Sequence, residues 1–112
     1  MTVDNLMQID EERVSKAMNF LALTDLDYAG AKASVKEAEI LCKRVRARVF
    51  LASTGSVEAR KAEAETHEDT CDADDVYVHA IQTFEGLLAR RQRAELTVDI
   101  WRSLEATRRR AT

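Results

Sequence analysis

His67, Cys71, Asp75 and His79 follow one another at intervals of four residues. On one helix they would line a single face and offer nitrogen, sulfur and oxygen donors of the kinds zinc takes. Adjacent members of the set can share an ion. All four together span about three turns and cannot reach one centre, so a site would need two of them plus donors from elsewhere. The plainer reading is a polar helix edge carrying a thiol, and neither a metal nor another cofactor is expected. Asp72, Asp74 and Asp75 invite comparison with a calcium loop, but counting from Asp72 the sixth position is Tyr77, where glycine is needed. The twelfth is Thr83 in place of a bidentate glutamate. No Gly-rich phosphate loop, nucleophile elbow or HExxH pattern occurs in the sequence. The expectation is a protein without catalytic residues.

Two charged features remain as candidate contact surfaces. Arg90, Arg91, Arg93 and Arg102 form a basic patch around Trp101, the sole tryptophan. Cations beside an aromatic ring suit the phosphates and bases of single-stranded nucleic acid. Arg91 falls inside an otherwise apolar stripe, which equally suits an arginine paired with Glu95 one turn away. The second feature is the run from Glu63 to Asp75, which contains no Lys or Arg and includes Asp72, Asp74 and Asp75. From Arg90 onward seven Arg stand against three acids, whereas residues 1–89 carry ten Lys/Arg against seventeen acids. An acidic body with a basic tail fits either a nucleic-acid contact or pairing between helices of one fold.

These residues must be positioned by helices. The chain has 112 residues, no Pro, three Gly and one third charged residues, a composition that favours long helices in a single helical domain over residues 1–112. Tyr28, Ala31, Val35, Ala38, Cys42, Val45, Val49 and Ala52 alternate at steps of three and four, the seam of a helix packed lengthwise on another. Thr24 or Asp25 would cap its start, and Gly55 would follow its end. A second stripe, Ala80, Phe84, Leu87, Arg91, Ala94, Val98 and Trp101, lies on a helix predicted from about Asp74 to Arg109, roughly 50 Å long. Asp72 or Asp74 would cap it after a break near residues 66–73. Ser56 would start a short connecting helix, and residues 4–23 form a shorter N-terminal helix. The fold class expected is therefore all-α: an antiparallel, coiled-coil-like hairpin of long helices, with the N-terminal helix packed alongside.

Leu96, Ile100 and Leu104 lie nearly opposite Val98 and Trp101 on the helical wheel and call for a second neighbour, so a homodimer through them is expected. No apolar span or signal-like N-terminus is present, which points away from a membrane and toward the cytoplasm, with Cys42 and Cys71 as reduced thiols. The segments "RVFLASTGSVEARKAEAETHED" and "ARRQRAELTVDIWRSLEATRRR" resemble small α-helical proteins of unassigned function encoded by tailed bacteriophages and prophages. The resemblance covers roughly residues 40–110 and rests on the "TGSV" turn, the Ala/Lys/Glu stretch after it, and the end from Trp101 to Arg109. It implies a phage origin, a bacterial host cytoplasm, and an accessory role in DNA replication or recombination through protein or nucleic-acid contacts. The alternative is an inhibitor of a host defence or host enzyme, with the acidic run imitating nucleic acid.

Overall fold

The structure, a computed structural model, describes residues 9–111. Those residues are all-α: α1 Glu11–Ala52, α2 Val57–Thr66 and α3 Glu68–Ala111. No strand occurs among them. The absence of proline allows helices of 42 and 44 residues, since no interior N–H is missing from the backbone ladder.

Both predicted stripes match the pattern of burial. On α1, Ala38, Cys42, Val45 and Val49 are buried and Tyr28, Ala31 and Val35 half-buried, while Ala52, the last helical residue, is exposed. On α3, Leu87, Ala94 and Val98 are buried, with Ala80, Phe84, Arg91 and Trp101 half-buried between and after them.

Three boundaries differ from expectation. Residues 11–23 are the first turns of α1 and not a separate helix packed alongside it, and residues 4–8 of that expected helix lie outside the described residues. Thr24 does not cap a helix start: its hydroxyl donates back to the Phe20 carbonyl at 2.7 Å, and Asp25 is committed to Arg91. The start of α1 is instead capped by Asp10, whose carboxylate accepts from the Arg13 N–H at 2.9 Å. The break expected over residues 66–73 is confined to His67, and neither Asp72 nor Asp74 caps α3. His67 ends α2, where its N–H donates to the Glu63 carbonyl at 2.9 Å. It also starts α3, where its Nδ1 accepts from the Asp69 N–H at 3.0 Å. One residue thus closes α2 with its backbone N–H and caps α3 with its ring.

The chain divides into two compact units, one of residues up to Tyr28 with those from Gly86, the other Ala29–Glu85. In the Ala29–Glu85 unit the core is Cys42, Val45, Val49, Ala64 and Ala73, with Phe50 and Tyr77 packed against it. Its contacts pair later residues of α1 with earlier residues of α3, as in the bond from the Cys42 thiol to the Ala73 carbonyl at 3.3 Å. The corner between α1 and α2 is fixed as the sequence implies. Gly55 adopts φ 108°, which a side chain would strain, and the Ser56 hydroxyl accepts from the Ala59 N–H at 3.1 Å. Arg60 then ties α2 to the end of α1, donating to the Phe50 carbonyl at 3.2 Å with its guanidinium over the Phe50 ring at 4.4 Å. In the other unit Ile9 and Val14 are buried on the N-terminal side and Leu87, Ala94 and Val98 on α3.

Candidate nucleic-acid interface

Of the four arginines singled out in the sequence, Arg90 and Arg93 share a groove and Arg91 does not. The groove encloses about 290 Å³ and is lined by Arg13, Lys16, Ala17 and Phe20 of α1 and by Arg90, Arg93, Ala94 and Thr97 of α3. Ala17 of α1 and Ala94 and Thr97 of α3 are the small residues of this lining, so the long cationic side chains reach past them. Arg13 and Lys16 are three residues apart on α1, as are Arg90 and Arg93 on α3, and each pair therefore projects from one side of its helix. Lys16 is held by Glu12 at 3.1 Å, an exposed pair worth well under ~1 kcal/mol that a stronger anion can displace. Arg90 uses only its Nε, donating to the Gly86 carbonyl at 3.4 Å, which leaves its two terminal nitrogens for other acceptors. Arg93 has no ion-pair partner among the described residues. Phe20, half-buried, presents the groove's aromatic surface. Four cations around Phe20 and these small residues can take phosphate oxygens while a flat base or sugar rests between them.

Arg91 turns the other way. Its side chain is 13 % exposed and donates to the Leu21 carbonyl at 2.9 Å, to the Thr24 hydroxyl at 2.7 Å and to Asp25 at 2.8 Å. The guanidinium also lies over the Tyr28 ring at 5.0 Å. Its partners are on α1, and Glu95, the partner expected one turn away, takes no part. Arg102 is exposed, makes no ion pair among the described residues, and lies outside the groove. Trp101 is half-buried on the α3 stripe.

Leu96 and Leu104 are 52 % and 41 % exposed, and Ile100 is half-buried. The acidic run is only partly open. Asp74 accepts two hydrogen bonds from Arg46, at 3.0 and 2.8 Å, and Glu65 accepts a third at 3.1 Å. These bonds hold the Asp74 carboxyl below the usual carboxylate range and raise Arg46 further above its ordinary value. Asp72 and Asp75 are exposed without an ion-pair partner among the described residues.

The spaced donors do not converge. His67 is committed to capping, the exposed Cys71 thiol makes only a long 3.9 Å contact with the Thr66 carbonyl, and His79 lines a separate groove with Val76 and Ala80. Among the described residues no three His, Cys, Asp or Glu side chains are grouped as a metal cage would require. Burial, followed by the neighbouring Asp74, pushes the Cys42 thiol up.

No family model, curated protein or solved structure matches this chain. The reading of the groove therefore rests on its own residues. Arg13 and Lys16, which sequence reasoning missed, are as much a part of it as Arg90 and Arg93. No helix among the described residues is long and apolar enough to cross a membrane.

Proposed function

We propose that this protein is a non-catalytic helical accessory factor that holds single-stranded nucleic acid in the groove lined by Arg13, Lys16, Arg90 and Arg93. The observation that carries the reading is the meeting of two cationic pairs from two helices around Phe20 and small residues. Phosphate contacts supply affinity without sequence preference, and a groove of this kind fits a strand whose bases lie against side chains more than a duplex groove reader. In this reading the long helices form an antiparallel hairpin that acts as a homodimer. Within the same reading it acts in DNA replication or recombination in a bacterial cytoplasm, the role that its resemblance to phage-encoded helical proteins implies. The rival reading, an acidic nucleic-acid mimic, retains Asp72 and Asp75 but draws less support, because Arg46 neutralises Asp74 and Glu65.

The direct test is binding of a fluorescein-labelled oligothymidine to the wild type and to charge-reversed variants. Arg90→Glu combined with Arg93→Glu should weaken binding at least ten-fold, whereas Arg102→Glu, outside the groove, should change it little. Equal losses from both changes would make the effect one of net charge alone and remove the groove from the account.

A further inference from the structure

We propose that a second copy of this chain docks on the groove between α1 and α3 in the Ala29–Glu85 unit, related to the first by a twofold axis parallel to those helices. The proposal rests on the dimeric part of the reading above and names its surface. Two adjoining hollows form the groove. One, of about 470 Å³, is lined by Ala31, Ser34, Glu37, Ala38 and Leu41 of α1 and by Val76, His79, Ala80 and Thr83 of α3. The other, of about 250 Å³, shares Leu41 and Val76 and adds Arg48, Asp69 and Asp72. Leu41 and Val76 are 42 % and 52 % exposed at the centre of this strip, on a floor of alanines that lets a neighbouring helix approach closely.

The charges select the occupant. Going along the strip, Glu37, Leu41 and Arg48 on the α1 edge stand beside His79, Val76 and Asp69 on the α3 edge. A twofold axis along the helices sets each α1 edge over the α3 edge of the other copy at the same height. Arg48 then meets Asp69 of the second copy, Leu41 meets Val76, and Glu37 meets His79, each pair occurring twice. Rotating instead about an axis across the helices through Leu41 and Val76 brings Arg48 to Ser34 and Asp69 to Thr83, and no ion pair forms. Asp69 is exposed, and its carboxylate has only a 3.8 Å contact with the His67 ring. Among the described residues Arg48 makes no ion pair, although it lines the same hollow as Asp69, and Asp72 makes none either. Arg44, one turn before Arg48, is likewise without an ion pair among the described residues and lies on the side that would face Asp72 of the second copy. An uncharged or single-signed groove would accept many amphipathic helices; alternating signs in twofold register favour self-pairing.

The test uses mixing. Arg48→Glu sets like charges against Asp69 of the other copy, and Asp69→Arg does the same against Arg48, so each variant alone should be monomeric by light scattering at a concentration where the wild type is dimeric. Mixed in equal amounts, the two variants should restore the dimeric mass, because every pair in the mixed dimer is again of opposite sign. Arg44→Glu with Asp72→Arg repeats the design should either first variant lose its helical circular dichroism. A dimeric wild type whose Leu96→Glu, Leu104→Glu variant is monomeric, while the charge variants stay dimeric, would overturn this surface and leave the dimer standing. A monomeric wild type would overturn both. Neither outcome touches the basic groove, which lies in the other unit.

Discussion

Arg91 Nη2 lies 2.8 Å from Asp25 Oδ1, joining the interior of α3 to α1 across 66 positions of sequence. The pair is one part of a site in which Arg91 also donates to the Leu21 carbonyl and the Thr24 hydroxyl and covers Tyr28. Arg91→Ala should destabilise the fold by about 2 kcal/mol, because charge-assisted hydrogen bonds of a largely buried guanidinium are lost together. Asp25→Ala should cost less than ~1 kcal/mol, since that carboxylate is mostly exposed. Urea titrations check both. The same Arg91→Ala variant, held below its unfolding range, should bind an oligonucleotide nearly as well as wild type.

The Arg46–Asp74 pair gives stability a defined pH dependence. Hydrogen bonds from Arg46 depress the Asp74 carboxyl in the folded state, with burial opposing them. The stabilisation is then complete above the unfolded-state carboxylate value of about 3.9 and is lost as pH falls through the lower folded-state value. Asp74→Asn should be less stable than wild type at neutral pH, and the difference should shrink as the solution is acidified below about 4. Parallel denaturation curves of constant separation from neutral to strongly acid pH would contradict this assignment.

The two thiols should differ in reactivity. Cys42 is buried and donates to the Ala73 carbonyl with its thiol held up in pKa, while Cys71 is exposed. A thiol-specific reagent at neutral pH should modify one cysteine quickly in the folded protein, mapped by mass spectrometry to Cys71, and both after denaturation.

Among the described residues Thr70 is the one whose side chain is wholly buried, at 0 % exposure, and its hydroxyl has no hydrogen-bond partner among them. A buried hydroxyl without a partner costs the free energy of removing it from water. Thr70→Val, of nearly the same shape, should raise stability by about 1 kcal/mol in thermal or urea unfolding. A comparable loss would show that the hydroxyl is satisfied in solution.

The core was readable because its signal is periodic. From Tyr28 to Val49 and from Ala80 to Trp101 the apolar residues keep one face for turn after turn, and burial follows them. What failed were the ends, where single side chains decide. Thr24 and Asp25 are good capping types, yet their oxygens serve Arg91, a partner that only the packed α3 supplies. His67 is an uncommon cap and carried no such signal, though its ring nitrogen does the same work as a carboxylate. The basic groove was half visible for a related reason. Ending the α1 stripe at Thr24 hid its continuation through Val14 and Ala17, and with it the fact that Arg13 and Lys16 flank the same side as Arg90 and Arg93. Its place inside the apolar stripe set Arg91 apart from Arg90 and Arg93, but its partner, Asp25 of α1 and not Glu95 one turn away, had no local signal.

The measurement closest to the central claim is the salt dependence of oligothymidine binding, followed by fluorescence anisotropy from low to moderate salt. If Arg13, Lys16, Arg90 and Arg93 each neutralise one phosphate, the slope of log K against log salt should be about −3, falling to about −1.5 when Arg90 and Arg93 are replaced by Ala. No binding at low salt, or binding whose slope is unchanged in that variant, would contradict the account.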